Sequence, residues 1–372
     1  MKEIKDKSVE LVVTSPPYPM IEMWDSLFSS QSKKIEAALD KNDRMTAFEL
    51  MNQELDEVWN EVYRVLAPGG FACINIGDAT RTINGHFMLY PNHARILSHM
   101  MTLGFTPLPE IVWRKQSNAP NKFMGSGMLP AGAYVTQEHE YILILRKGGK
   151  REFDTNTEKE HRRSSAYFWE ERNFLFSDVW TDLLGTRQKM EDKEVRKRSA
   201  AYPFELPYRL ITMYSLKGDT VLDPFFGIGT TMLAAMCAGR NSIGYELSEE
   251  FGETIAERTR DIISFSKDRI NTRLEAHLAF VAERINAGKE IKHLNEHYHF
   301  PVITAQEQGL LINDPESIEK TGENQFKITY STTAQFKETG AANPAPSDKK
   351  KPCDPPGSDR KKYKKNQQME LF

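Results

Sequence analysis

The sequence has only three cysteines among its 372 residues, and this scarcity excludes two classes of protein. Cys73, Cys237 and Cys353 are too far apart for a Cys-x-x-Cys metal pair, and three thiols cannot build a disulfide framework. The sequence also lacks an apolar run of the roughly 18 residues needed to cross a bilayer. Residues 1–6 are charged, unlike a secretory signal, so we expect no membrane partner and a reducing cytoplasm.

The sequence also lacks a large excess of either charge. It has 49 basic and 52 acidic residues, and its net charge is −3. Such a chain is no general binder of polyanions, and contact with nucleic acid would depend on local basic segments. Apolar residues make up 39% and charged residues 27%, which excludes collagen-like, coiled-coil and wholly disordered chains. His293, His297 and His299 lack a supporting cysteine or carboxylate pattern, so no metal site is expected.

Hydrophobic periodicity predicts alternating strands and helices along most of the chain. A helical stripe covers residues 44–66 and is followed by a strand at 71–77. The clearest unit lies at 206–246, where helix, strand, glycine-rich turn, helix and strand follow one another. This order is typical of a nucleotide-type site in a doubly wound sheet. We therefore predict an α/β fold with a doubly wound, Rossmann-like sheet and helical and irregular additions.

The glycine-rich turn reads Asp223-Pro224-Phe225-Phe226-Gly227-Ile228-Gly229-Thr230-Thr231 and lies between a predicted strand and a predicted helix. Glycines let a backbone approach a ligand closely, and free amide groups at a helix start can meet its polar atoms. Glu246 ends the next predicted strand, where a carboxylate can accept hydrogen bonds from both hydroxyls of a ribose. The pattern predicts an adenosine-containing cofactor. The predicted cofactor-binding residues are Asp223, Pro224, Phe225, Gly227, Gly229, Thr230, Thr231 and Glu246.

The spacing of this turn does not by itself choose between adenosine cofactors. The third glycine of the dinucleotide fingerprint is missing after Gly229, and Asp223 places a carboxylate beside the turn. A carboxylate suits the cationic sulfonium or ammonium of S-adenosyl-L-methionine and would repel a pyrophosphate. These residues therefore favour S-adenosyl-L-methionine.

A second polar loop follows the first predicted strand, residues 9–13, and reads Thr14-Ser15-Pro16-Pro17-Tyr18-Pro19. Two successive prolines continue neither a sheet ladder nor a helix, so the strand must stop abruptly. The result is a stiff loop with a polar tip.

Both loops resemble motifs of one enzyme family, the amino-group DNA methyltransferases. Thr14-Ser15-Pro16-Pro17-Tyr18 is similar to the family's catalytic tetrapeptide, (Asp/Asn/Ser)-Pro-Pro-(Tyr/Phe), and residues 223–231 resemble its cofactor motif. The catalytic loop precedes the cofactor loop, as in the permuted β class. Further similar segments are Val65-Leu66-x-Pro68-Gly69-Gly70, Val112-Trp113-x-Lys115, His139-Glu140-Tyr141-Ile142 and Tyr202-Pro203-x-x-Leu206-Pro207. Lys115 and Asp78 also lie at predicted strand ends, but receive no role.

The resemblance implies roles for the loop residues Ser15, Pro16, Pro17 and Tyr18. The Ser15 hydroxyl and the Pro16 carbonyl would accept hydrogen bonds from an exocyclic amine, and the prolines would hold that geometry. Tyr18 would stack on the target base, which must be flipped out of duplex DNA. The serine points to methylation of cytosine N4. The alternatives are adenine N6 methylation, a catalytically silent DNA-binding module of the same fold and, more distantly, a nicotinamide-dependent oxidoreductase.

The same reasoning divides the chain into a methyltransferase domain at 1–265, an accessory region at 266–338 and a disordered basic tail at 339–372. In this family the target-recognition region would fall at 150–200, where Arg162 and Arg163 could contact phosphates. The last residues, Gln368-Met369-Glu370-Leu371-Phe372, resemble the motif with which bacterial proteins dock on the replication sliding clamp. A restriction endonuclease would share the methylated site. We expect a bacterial or archaeal cytoplasmic protein that associates with the nucleoid.

Overall fold

The central feature of the structure, a computed structural model, is a seven-stranded sheet. The structure describes residues 1–115, 124–183 and 201–336; the predicted tail and its last five residues lie outside these ranges. Strands of the main sheet are β1 Val9–Thr14, β2 Leu66–Ile76, β5 Phe105–Arg114, β8 His139–Lys147, β9 Val179–Trp180, β10 Thr220–Asp223 and β11 Asn241–Gly244. Two-stranded pairs are formed by β3 Ala79–Ile83, β4 His86–Tyr90, β6 Met124–Gly125, β7 Ala133–Tyr134, β12 His293–Leu294, β13 Pro301–Val302, β14 Pro315–Gly322 and β15 Gln325–Tyr330.

The main sheet has the order β11-β10-β1-β2-β8-β5-β9. Strand β8 runs antiparallel to both of its neighbours, while the other pairings in the sheet are parallel. The crossovers between parallel strands are long and contain helices, which is the doubly wound arrangement. The predicted α/β fold class is therefore confirmed.

Ten α-helices accompany these strands in the described residues. They are α1 Asp25–Gln31, α2 Lys33–Asp40, α3 Arg44–Val65, α4 Asn92–Thr102, α5 Asn156–Ser164, α6 Trp169–Leu175, α7 Glu205–Tyr214, α8 Thr230–Cys237, α9 Phe251–Arg260 and α10 Ile262–Asn286. Two short 3-10 helices lie at Glu22–Trp24 and Ala305–Glu307. No helix of the described ranges is long and apolar enough to span a membrane.

Alternating side chains bury both faces of the sheet. Along β1, Val12 enters a core shared with α3, whereas Leu11 and Val13 enter a core shared with α7 and α8. Strand β8 alternates in the same way, because Leu143 joins the first core and Ile144 the second. A sheet covered by helices on both faces has only its edges and strand ends open to ligands. A functional site must therefore lie at those ends.

The C-terminal part of the described chain has a core of its own. Ile270 of α10 packs there with Phe300, and Phe168 from the predicted target-recognition segment joins the same cluster. Helix α10 runs without interruption through residues 265 and 266, where the sequence predicted a domain boundary. The described residues up to Phe336 form one compact unit. The predicted domain boundaries remain a prediction.

Candidate active site at the carboxyl edge of the sheet

The two predicted loops lie at neighbouring strand ends. Strands β1 and β10 are adjacent and parallel, with Val12 opposite Leu222, so Ser15 and the glycine turn leave the sheet at the same edge. The hydroxyl of Thr14 donates to Asp223 Oδ1 at 2.6 Å and joins the two strand ends directly. Because β8 is antiparallel, its first residues lie at this edge as well. We call it the carboxyl edge.

Asp223 is enclosed by protein donors. Besides Thr14, Oδ1 accepts from the Phe225 amide at 3.1 Å, while Oδ2 accepts from Thr231 Oγ1 at 2.6 Å and Tyr202 OH at 3.3 Å. The residue is 2% exposed, and burial raises the pKa of its carboxyl. In the described structure Asp223 therefore ties β1, β10 and α8 together, and its predicted contact with a cofactor stays a prediction.

The Ser-Pro-Pro-Tyr loop turns its polar groups toward one another. Pro16 is buried, and Ser15, Pro17 and Tyr18 are half-buried. Ser15 Oγ lies 3.2 Å from Tyr18 OH. With its φ angles fixed by two proline rings, the loop loses little conformational freedom when it binds a ligand.

Two distant strands supply partners for this loop. Tyr18 OH donates to Glu140 Oε2 at 3.0 Å, and Asn75 Nδ2 donates to Tyr18 OH at 2.9 Å and to Glu140 Oε2 at 2.8 Å. Lys115 Nζ lies 2.8 Å from Glu140 Oε1. Burial, followed by the charge of Glu140, raises the pKa of Tyr18 well above its ordinary value. Tyr18 is therefore a neutral phenol at physiological pH.

The glycine turn is open where a ligand would approach. Gly227 has φ +52° and nothing within 4 Å of the place a Cβ would occupy, and Gly229 has φ +75°. The exposed Glu246 accepts from the Gly227 amide at 2.7 Å and from the Ser248 amide at 2.9 Å, one bond to each carboxylate oxygen. Each of these oxygens keeps a lone pair for a further donor.

Phe226 closes the back of the turn by packing on Gly244, the last residue of β11. A Cβ at Gly244 would come within 1.8 Å of the Phe226 ring, so any other residue there requires the ring to move. The Phe226 amide also donates to the Tyr245 carbonyl at 2.9 Å. These contacts fix the turn against the strand end that leads to Glu246.

The other predicted cofactor residues lie around the turn in different settings. Pro224 is half-buried. The Phe225 ring packs edge-on against Trp59 of α3, with ring centroids 5.9 Å apart. Thr230 and Thr231 are buried at the start of α8, and Arg258 Nη1 lies 3.1 Å from Thr230 Oγ1. Both threonine hydroxyls contact protein groups, so in the described structure they stabilise the turn itself.

Sequence reasoning missed Asn75 and Glu140 and left Lys115 without a role. Glu140 belongs to a segment, His139-Glu140-Tyr141-Ile142, that already resembled the family. Its position at the start of an antiparallel strand was the missing information, because only that direction brings it to the carboxyl edge. Asn75 lies inside strand β2 and belongs to no recognisable motif, so nothing in the sequence was a reason to select it.

The predicted DNA contacts at Arg162 and Arg163 lie elsewhere in the structure. His161, in the same helix, contacts the Lys217 carbonyl at 2.9 Å, and Lys217 precedes β10 at the opposite edge of the sheet. Helix α5 is therefore remote from Ser15, and phosphate contact by Arg162 and Arg163 stays a prediction. By contrast, Leu183 and Tyr202, which flank residues 184–200, both lie near the carboxyl edge.

Known proteins resemble this chain over most of its length. A family model described as DNA methylase, covering N6 and N4 methyltransferases, matches residues 9–258. The Type II methyltransferase M.MthZI of Methanothermobacter thermautotrophicus is 55% identical over 339 residues, which are 91% of this chain and 94% of that protein. M.MjaI of Methanocaldococcus jannaschii is 48% identical over 299 residues, covering 77% and 94%.

A solved structure agrees with these relatives. TTHA0409 of Thermus thermophilus, a candidate DNA modification methylase crystallised with S-adenosyl-L-methionine, is 33% identical. It superposes with a TM-score of 0.55 over 70% of this chain and 89% of its own. The chain therefore belongs to the N6/N4 DNA methylase family, and the two relatives named above are Type II methyltransferases.

Proposed function

We propose that this DNA methyltransferase transfers a methyl group from S-adenosyl-L-methionine to the exocyclic N4 amine of cytosine at a specific site in duplex DNA. The observation that carries the proposal is the 2.6 Å hydrogen bond from Thr14 to Asp223. It holds the Ser-Pro-Pro-Tyr loop beside the glycine turn at one edge of the sheet. A methyl donor on the turn and an amine on the loop would then be neighbours.

The residues of the turn fit S-adenosyl-L-methionine. Glu246 is exposed and keeps free lone pairs for the two ribose hydroxyls, and the open face of Gly227 leaves room for the ligand. When bound, the cofactor supplies an electrophilic methyl group on a sulfonium. Glu246 and the 227–229 backbone would hold it.

The loop residues act on the target amine. The amine lone pair is delocalised into the base, so acceptors for its N–H bonds are needed to draw the nitrogen toward a nucleophilic geometry. Ser15 Oγ and the Pro16 carbonyl are the proposed acceptors, and the base must leave the duplex to reach them. Positioning and electrostatics carry the catalysis, without a covalent enzyme intermediate.

The serine at the head of the loop supports cytosine over adenine. In the family that Ser15-Pro16-Pro17-Tyr18 resembles, aspartate or asparagine at this position is more common in adenine N6 enzymes. Cytosine N4 is therefore the proposed target. Because the same geometry serves either exocyclic amine, the product nucleoside is the decisive measurement.

Recognition of the site and the protein partners are further proposals. Residues 150–200 are the proposed target-recognition region, and Leu183 within them lies near the carboxyl edge, where its carbonyl accepts from Trp113. Similarity to Type II methyltransferases is in keeping with the proposed cognate restriction endonuclease, which would share the site and need not bind the chain. Docking on a sliding clamp is proposed from the sequence of the final residues, Gln368 to Phe372, alone. Deletion of these residues should abolish capture of the clamp in a pull-down.

The product nucleoside tests the proposed function. The protein is incubated with unmethylated mixed-sequence duplex DNA and methyl-labelled S-adenosyl-L-methionine, and the DNA is digested to nucleosides. We expect the label in N4-methylcytosine. Label in N6-methyladenine would reassign the target base, and unlabelled DNA would favour a silent DNA-binding module.

A further inference from the structure

The carboxylate of Glu140 lies one hydrogen bond from Tyr18 and two from Ser15. Glu140 Oε2 is 3.0 Å from Tyr18 OH, which is 3.2 Å from Ser15 Oγ. We propose that Glu140 is a positioning residue that orients this chain of hydrogen bonds and receives, through Tyr18 and Ser15, the proton that the methylated amine must lose. The inference rests on the proposed methyl transfer but not on the choice between cytosine and adenine.

The ionised carboxylate of Glu140 sets the direction of the chain, because it can only accept hydrogen bonds. Tyr18 must therefore donate to Glu140, which leaves the phenol oxygen as an acceptor. Ser15 can then donate its hydroxyl hydrogen to Tyr18 at 3.2 Å. Of its two lone pairs, one accepts from Asn75 Nδ2 at 3.4 Å and the other remains available to an N–H of the substrate. Ser15 thus becomes the acceptor that the chemistry requires.

Lys115 and Asn75 both bond to the carboxylate of Glu140. Lys115 Nζ lies 2.8 Å from Oε1, and Asn75 Nδ2 donates to Oε2 at 2.8 Å. The side chain of Glu140 is only 13% exposed, so these partners offset the cost of partial burial. The Lys115 side chain is 47% exposed and borders solvent, to which a proton can finally pass.

Asn75 provides an independent sign that a donor is missing from this site. The residue is 2% exposed, and its Oδ1 is buried without a hydrogen-bond partner in the described structure. Its Nδ2 lies 3.4 Å from Ser15 Oγ. Buried acceptors are normally satisfied, so Asn75 Oδ1 is one polar group of this site that the described structure leaves without a donor.

The proton balance of the transfer is simple. The amine nitrogen forms the new N–C bond, and the electron pair of the broken S–C bond stays on the departing sulfur, which becomes a neutral thioether. The nitrogen then carries one positive charge and loses one proton to Ser15 Oγ. As Ser15 passes its proton to Tyr18 and Tyr18 passes its own to Glu140, the carboxylate becomes a neutral acid.

Single-turnover methylation of mixed-sequence duplex DNA tests the relay with Glu140→Gln, Tyr18→Phe and the double variant. Glutamine preserves the shape but cannot take the proton. We expect each single variant to lower the transfer rate about 100-fold, the scale of general acid–base catalysis. KM for DNA and Kd for S-adenosyl-L-methionine should stay within about 3-fold. The double variant should be no slower than the slower single one, since both interrupt one path.

Glu138→Gln is the matched control, because it removes the same charge two residues away, where Glu138 pairs with Arg114. It should transfer methyl groups at the wild-type rate. A wild-type rate in Glu140→Gln, or losses that multiply in the double variant, would overturn the relay. If Glu140→Gln does not fold, Tyr18→Phe decides alone by the same rate criterion. The nucleoside analysis is scored separately, so a wrong target base and a wrong relay give different results.

Discussion

The two loops at the carboxyl edge differ in where their partners come from. In the glycine turn, the Gly227 amide bonds to Glu246, only 19 positions along the chain. In the Ser-Pro-Pro-Tyr loop, Tyr18 bonds to Glu140, which is 122 positions away. A site built from nearby residues can be found as a motif, whereas a site assembled across a sheet needs the strand order as well.

The two loops also differ in their proposed work. The turn offers an exposed carboxylate and open backbone for cofactor binding, while the loop offers a half-buried hydrogen-bond chain that acts on the amine. Variants of the loop should therefore change the rate of transfer, and variants of the turn should change the affinity for the cofactor. A loop variant that weakens cofactor binding, or a turn variant that slows transfer at saturating cofactor, would contradict this assignment.

The largest effect is expected from Ser15→Ala. The substitution removes the acceptor that draws the target nitrogen toward a reactive geometry, so the single-turnover rate should fall about 1000-fold, the upper range for the loss of one preorganised polar contact. The cofactor Kd, measured by calorimetry, should remain within about 2-fold of the wild-type value, because Ser15 lies on the other loop.

Ser8→Ala is the control for this variant, since Ser8 precedes β1 at its other end and bonds to the Lys5 carbonyl at 2.6 Å. It should leave both the rate and the Kd unchanged. An equal loss of rate and cofactor affinity in Ser15→Ala would mean that the two loops do not divide the work.

The elements of the sheet were largely predictable, whereas the polar contacts of the site were not. The 3.6-residue period placed the helix at 44–66, close to α3, and the predicted order of elements at 206–246 includes the strand that the structure shows as β10. The adjacency of β1 and β10 could be expected from the doubly wound pattern. The partners of Tyr18 could not, because β8 enters the sheet between β2 and β5 and runs the opposite way.

Asp223 shows a second limit of sequence reasoning. Its place beside the glycine turn predicts a contact with a cationic cofactor, which stays a prediction, but it gave no sign of the four protein donors that surround the carboxylate. A motif identifies which residue types meet at a turn but not which way each side chain faces. The same applies to Thr231, whose hydroxyl donates to Asp223.

A smaller effect, on stability, is expected from Gly244→Ala. The new methyl group would overlap the Phe226 ring, and overpacking of this kind costs about 1–3 kcal/mol. Urea unfolding should show a lower midpoint, and cofactor affinity should fall because Phe226 belongs to the turn. Gly252→Ala is the control, since nothing lies within 4 Å of its Cβ position. Equal midpoints for the two variants would show that Phe226 moves aside at no cost and does not brace the turn.

The sharpest test of the turn is Glu246→Gln, whose effect is confined to cofactor binding. Both carboxylate oxygens accept from backbone amides, at Gly227 and Ser248, but a glutamine has one acceptor and must present its NH₂ to the other amide. One bond to the turn is lost together with the charge that attracts the ribose hydroxyls. Since a hydrogen bond to a charged group contributes about 1.5–3 kcal/mol, the cofactor Kd should rise at least about 10-fold. At saturating cofactor the transfer rate should match the wild type. Glu249→Gln is the control, because it removes the same charge from an exposed residue nearby and should bind the cofactor with the wild-type Kd. A slower transfer rate at saturating cofactor in Glu246→Gln would instead place this carboxylate in the transfer step. The two loops would then not differ in their work.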